Sequence, residues 1–217
     1  MNSRLISPSE QDYPRRVIRR LGEGAPSVLY VVGDASRLST IELALLCSVS
    51  CPGSVIIKTF DAIRDVRDAG VVVVGGFHSP MERDCLHFLL RGSQNVVLSP
   101  AHGIEGLSVD SGEQAALNEG RLIAVSVFEA DVLRATPEAA VRRNQFVAAT
   151  ADILLVPHAV PGGKVEREAQ QAIARGQTVL TFDDRENSHL VAQGAIPIAA
   201  NGVLKGMSAH RLTPQTP

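Results

Sequence analysis

Two Gly-Gly steps and one arginine pair are the residues of this chain best suited to hold a negative charge. The first step is Gly75-Gly76-Phe77-His78-Ser79, where paired glycines let backbone approach a ligand and Ser79 stands ready to cap a helix. The second is Gly162-Gly163-Lys164, followed by Val165 and Glu166. A lysine in a first helical turn opposes the helix dipole unless something negative lies there, so this loop is a phosphate candidate. It is not a Walker A loop, whose spacing differs. The third is Arg142-Arg143-Asn144, because guanidinium groups hold phosphates through paired hydrogen bonds. Each has a plain alternative. Gly75-Gly76 suits a turn that needs positive φ, Glu166 suits a first-turn acid, and an arginine pair on a helix suits a solvated face.

Other chemistry is poorly served. His78, His102 and His158 each follow an apolar run, which puts them on one rim, where Glu82 or Glu105 could complete a metal site. No closely spaced ligand pair accompanies them, and neither a metal nor a cofactor is expected. There is no GxSxG elbow, and neither Cys47 nor Cys85 has a histidine placed to activate it. Cys85 and His87 stand two apart, on different faces of a helix. A GxGxxG dinucleotide fingerprint is missing.

The elements that must position these residues are short apolar runs separated by helical spacing. Strands are expected at 28–32, 41–47, 71–74, 96–99, 122–128, 153–157 and 178–182, and helices at 54–69, 80–90, 112–118, 137–150 and 164–174. Ser79-Pro80-Met81-Glu82 has the form of a capping box, and Thr136-Pro137-Glu138 repeats the cap and proline. Gly70, Gly92, Gly120 and Gly176 mark helix ends. This grammar predicts a Rossmann-like, doubly wound α/β fold: a mostly parallel sheet with helices on both faces and ligands at the carboxyl ends of the strands. Residues 1–27 read as a tail and a basic helical turn (Arg15, Arg16, Arg19, Arg20) on the domain edge. Residues 28–200 read as the domain, and 201–217 as a loose tail.

Composition sets the outer bounds. The chain has 217 residues, 45% hydrophobic and 4% aromatic, with no Trp, so the core is aliphatic. A net charge of −2 provides no overall attraction to nucleic acid or acidic membranes, although a local patch still could. Three cysteines without a CxxC pair argue against a disulfide framework or zinc ribbon. Neither a membrane span nor a signal-peptide core is recognised in the sequence, and a cytoplasmic protein is expected.

The order of motifs resembles the DprA/Smf DNA-processing family. Asp12-Tyr13-Pro14 with Pro26-Ser27-Val28-Leu29-Tyr30 and Gly33 is similar to its entry segment, and Gly70 with VVVVGG to its next strand and loop. Arg142-Arg143-Asn144-Gln145-Phe146, Ala151-Asp152, the Gly162-Gly163 loop, Asn187 and Gly194-Ala195 are similar to its second half. The resemblance covers residues 12–198. It implies a Rossmann-like domain that binds single-stranded DNA through a basic pocket, forms a homodimer and serves a recombinase such as RecA, as a binding protein and not an enzyme. Site residues implied or supported by spacing are Gly76, His78, Ser79, Arg142, Arg143, Asn144, Gly162, Gly163 and Lys164. The chain departs from the family where Cys47-Ser48-Val49 replaces Gly-Ser-Arg and where Phe77–Glu82 replaces Ala-Arg-Gly-Ile-Asp, so two pocket arginines are absent. Pro161-Gly162-Gly163 also resembles the LOG nucleotide phosphoribohydrolases. That alternative makes the ligand a nucleoside monophosphate, with Glu166 or Glu168 standing in for the acid of PGGxGTxxE.

Overall fold

The computed structural model describes residues 3–212, and the chain folds around one nine-stranded sheet. Its strands are β1 (Arg4–Ile6), β2 (Leu29–Val32), β3 (Leu43–Leu45), β4 (Val73–Gly75), β5 (Val96–Leu98), β6 (Leu122–Ser126), β7 (Ile153–Leu155), β8 (Thr178–Phe182) and β9 (Ile196–Ile198). They lie in the order β1-β2-β6-β5-β4-β3-β7-β8-β9. β1 pairs antiparallel with β2 and β2 with β6, while the pairings from β6 across to β9 are parallel.

The helices are α1 (Arg15–Leu21), α2 (Gly53–Asp68), α3 (Pro80–Leu89), α4 (Ser111–Asn118), α5 (Pro137–Thr150), α6 (Lys164–Ala174), α7 (Ser188–Ala192) and α8 (Val203–Leu212). Side chains alternate along each strand, so a strand buried on both faces feeds two cores. Ala44, Val74 and Leu154 join Val17 of α1, Phe146 of α5 and Ala169 of α6 on one face. Leu43, Leu45 and Val73 join Ile63 of α2, Leu86 of α3 and Met207 of α8 on the other.

Topology places the site. From β3 the chain steps outward through β4, β5 and β6, then returns by α5 to lay β7 against the other side of β3. The loops leaving β3 and β7 diverge to opposite faces, opening a crevice at their carboxyl ends. The doubly wound α/β architecture and its parallel sheet are as the sequence predicts.

Three features differ from the sequence expectation. β1 and β9 are edge strands of three residues each, too short to show period-two patterning, and Pro197 interrupts the second. Residues 201–217 were expected to be loose, yet α8 seats Val203 and Met207 one turn apart on the α2 side of the sheet. Gly206 permits that contact, since a Cβ there would lie 2.9 Å from Leu180 Cδ1. Glycines at 202 and 206 obscure the helical spacing in the sequence; residues 213–217 lie outside the described ones. The basic turn is a helix, and two of its four arginines face inward while Arg15 and Arg19 are exposed: Arg16 donates to Thr150 O at 3.2 Å and Arg20 to Ala149 O at 3.0 Å, capping the C-terminal carbonyls of α5. Gln177 adds bonds to Ala148 O and Ala151 O. Burial holds Arg20 down to about 10.

Candidate anion pocket at the strand ends

The crevice is a cavity of about 830 Å³ bounded by the loops after β3, β4 and β5 and by the starts of α5 and α6. Its cationic and imidazole side chains are Arg83, Arg143, Lys164, His78 and His102, and among the described residues its wall contains one carboxylate, Glu82.

Arg143 is the most buried of the cations in the wall, 6% exposed in the second turn of α5. Its Nε donates to Asn144 Oδ1 at 2.8 Å and its Nη1 to Ser99 O at 3.1 Å, which fixes the guanidinium plane. Nη2 makes no hydrogen bond among the described residues. Burial lowers the Arg143 pKa, and the Glu82 carboxylate pulls it the other way. Thr136 caps the helix that presents it, accepting from Ala139 N at 3.1 Å, with Pro137 at its first position.

The β4–α3 loop fits around that arginine. A Cβ on Gly76 would lie 1.5 Å from Arg143 Nη1, and one on Gly75 would lie 2.9 Å from the Phe77 ring. Both glycines therefore serve close approach. Neither has positive φ; among the described residues the one non-glycine that does is Phe77, at 45°. Strain of that kind is held by surrounding contacts, and here the contacts converge on Glu82. Glu82 Oε1 accepts from Cys47 N at 2.9 Å, and Oε2 accepts from His78 N at 3.1 Å and Ser79 N at 3.2 Å. Ser79 returns the bond, accepting from Glu82 N at 3.2 Å. The capping box legible in the sequence is thus also a tie between the loops after β3 and β4. The reach to Cys47, 35 residues away, has no local signal in the sequence.

The second Gly-Gly loop is arranged differently. Gly162 has φ of 73° and donates to Glu166 Oε2 at 2.6 Å, while Gly163 N donates to Val160 O at 2.9 Å. Both amides are occupied, and Gly162, Gly163 and Glu166 lie outside the pocket wall. Their expected role as open amide donors to phosphate does not match this geometry. Glu166 also accepts from Gln193 Nε2 at 2.9 Å, and that bond, followed by the Gly162 amide, holds its pKa below the usual value. It is a loop clamp, not an acid aimed into the cavity. Lys164 does reach the rim. Its exposed ammonium donates to Pro137 O at 3.1 Å, joining the starts of α5 and α6, and that carbonyl partner accounts for a cation in the first turn.

The remaining expected residues divide. His78, Ser79 and Asn144 line the cavity with Gly76, whereas Arg142 is exposed outside it, 5.6 Å over the Phe128 ring. His78 and His102 share the rim, but His158 is buried outside the wall, with Nδ1 3.0 Å from Asn187 Oδ1. Among the described residues the one group of three converging ligand atoms is elsewhere, at His87, Asp110 and Glu113, where Arg83 already pairs with Glu113 at 3.0 Å. Burial pushes the Cys85 thiol up, and the Cys51 thiol and then burial do the same to Cys47, so neither is a poised nucleophile. Sequence reading missed Arg83 as a wall residue, because α3 brings it in through tertiary packing, and placed Glu82 at the rim only as a possible metal ligand, not as the tie between two loops.

These features define a Rossmann-like α/β protein with a strand-end pocket lined by arginine, lysine and histidine side chains, in which the His78, Ser79, Gly162 and Gly163 amides already have partners. No protein-family model matches the chain, and no curated protein matches it. Solved structures do. DNA processing protein A (DprA) from Streptococcus pneumoniae is 14% identical with a TM-score of 0.80, over 96% of this chain and 74% of that one. DNA processing protein A from Helicobacter pylori, in a structure concerned with its single-stranded DNA binding mode, is 16% identical with a TM-score of 0.75, over 94% and 97%. The molybdenum cofactor binding protein of Rippkaea orientalis shares less, 9% with a TM-score of 0.58 over 78% and 96%. The fold of this chain is that of the DprA proteins.

Proposed function

We propose that this protein binds single-stranded DNA in the strand-end pocket, as a binding protein without covalent chemistry. Arg143 makes the deep phosphate contact, Lys164, Arg83 and His78 draw in the strand at the rim, and Asn144 and Ser79 complete the wall. One observation carries the reading: a buried guanidinium in the cavity wall, fixed on two sides by Asn144 and Ser99 and with Nη2 unbonded among the described residues, where that wall holds one carboxylate among them. A buried cation is costly unless an anion completes it, and a phosphate oxygen is a matched acceptor. The DprA-like fold and the ordered motifs support the choice of DNA.

Titration of a fluorescent 20-mer by anisotropy at low salt tests this. Arg143→Ala should weaken binding by about tenfold or more, the worth of a hydrogen bond to a charged group, with a melting curve to check folding. Unchanged affinity in a folded variant would refute it. Homodimerisation, delivery of the strand to a RecA-type recombinase and a cytoplasmic setting belong to the same reading. Sedimentation velocity tests the first.

A further inference from the structure

Beside the pocket, where α3 meets the start of α4, one cluster of side chains is arranged to receive a cation. We infer that His87, Asp110 and Glu113 form a site for a divalent transition-metal ion, which binds there in place of the Arg83 guanidinium.

The two carboxylates are set by the capping box that opens α4. Asp110 Oδ1 accepts from Glu113 N at 2.9 Å, and Glu113 Oε2 accepts from Asp110 N at 3.1 Å. Each acid thus holds backbone with one oxygen and turns the other toward α3. His87 Nε2 stands 3.0 Å from Asp110 Oδ2, and Arg83 Nη1 stands 3.0 Å from Glu113 Oε1. Ligand atoms of His87, Asp110 and Glu113 lie within 4.8 Å of one another. A tetrahedral zinc ion with bonds of about 2.1 Å needs them roughly 3.4 Å apart, a small adjustment. Glu113 gives an independent sign of a ligand. Its side chain is 0% exposed, yet Oε1 makes no hydrogen bond among the described residues, because the Arg83 contact has the distance of an ion pair without the direction of a hydrogen bond. A buried oxygen left in that state is costly, and a metal ion satisfies it without a donor angle. Charge agrees. With the neutral imidazole that a metal requires, two carboxylates face one guanidinium, and the opposing α4 dipole amounts to only about half a charge. One imidazole with two carboxylates suits zinc and its first-row neighbours, whereas calcium takes six or more oxygens and magnesium keeps its waters. His87 and Asp110 are each 44% exposed, which leaves the ion a way in. Arg83, already in the pocket wall, is the group it displaces.

The test is calorimetric titration of zinc chloride into the full, chelator-treated chain near neutral pH, and it does not depend on DNA. Asp110→Asn and Glu113→Gln preserve the capping hydrogen bonds while removing ligand charge, and His87→Ala removes the imidazole from an exposed position. Each should weaken zinc binding at least tenfold, since loss of even a supporting partner of a metal ligand has that effect. Arg83→Gln should bind zinc several-fold more tightly, because the competing cation is gone; a cluster that only caps α4 would give no such gain. Excess magnesium should not displace the zinc. A melting curve establishes that each variant is folded, and should Glu113→Gln fail to fold, His87→Ala and Arg83→Gln decide the question. No zinc binding by the native chain, or binding that the folded ligand variants leave unchanged, overturns the inference. Weaker zinc binding in Arg83→Gln overturns the exchange of arginine for metal.

Discussion

The two Gly-Gly loops are near twins in sequence and opposites in setting. Each precedes a helix, and each is closed by a glutamate in the first turn that accepts backbone N–H groups. At β4–α3 the loop is packed onto Arg143, so its glycines are demanded by a neighbour: the space a Cβ would fill is occupied by the guanidinium. At β7–α6 nothing lies within 4 Å of the Cβ position of Gly162, which is demanded by φ alone, and Gly163 is demanded by its own loop, since a Cβ there would lie 2.7 Å from Val160 O. A glycine pair thus says that backbone is unusual, and only the element beneath it says whether that serves a site or a turn.

Exchange of the glycines breaks this comparison most sharply. Gly76→Ala must displace Arg143 and should cost about 3 kcal/mol of stability, together with most DNA affinity. Gly162→Ala should cost about 1 kcal/mol, the strain of an L-residue in the left-handed region, with affinity unchanged. Denaturant unfolding and anisotropy measure both, and equal effects at the two positions would dissolve the distinction.

The glutamates come next. Glu82→Gln disturbs three buried hydrogen bonds across two loops and should cost about 2 kcal/mol, and Glu166→Gln less, about 1 kcal/mol. Glu166 also predicts a pH dependence. Its folded pKa lies below the ordinary value of 4.5, so its contribution is present above that value and is lost as pH falls through the lowered one. Melting temperature against pH should therefore show a shallower acid limb in Glu166→Gln than in the native chain. Superimposed curves would deny Glu166 that role.

Lys164→Ala is the mildest change. The side chain is exposed and holds one carbonyl, so stability should move by less than about 0.5 kcal/mol, with DNA affinity reduced by a few fold. A loss as large as that of an Arg143 variant would relocate the main contact to the α6 loop.

The sequence was most informative where the signal is local. Doubly buried strands appear as VVVV and ILLV, and the α3 and α5 starts announce themselves through Ser79-Pro80 and Thr136-Pro137. It placed the pocket at the right end of the sheet because strand order alone fixes that position. What it could not distinguish was Arg142 from Arg143. Adjacent helical positions lie about 100° apart, and only the packing of α5 against the sheet decides which one turns inward. The basic residues of α1 were equally ambiguous. Arg16 and Arg20 resemble a nucleic-acid patch by composition, yet they cap the helix that carries Arg143. The α8 helix was hidden by its glycines, and the Glu82–Cys47 tie by its length in sequence.

The central claim is that Arg143 meets a phosphate of single-stranded DNA. Its most direct test is the salt dependence of 20-mer binding in the native chain and in Arg143→Gln. Each phosphate contact on a single strand contributes about 0.7 to the slope of log affinity against log salt. The account predicts a folded variant that binds about tenfold or more weakly with a slope shallower by about 0.7. Identical slopes and affinities in the two proteins would contradict it.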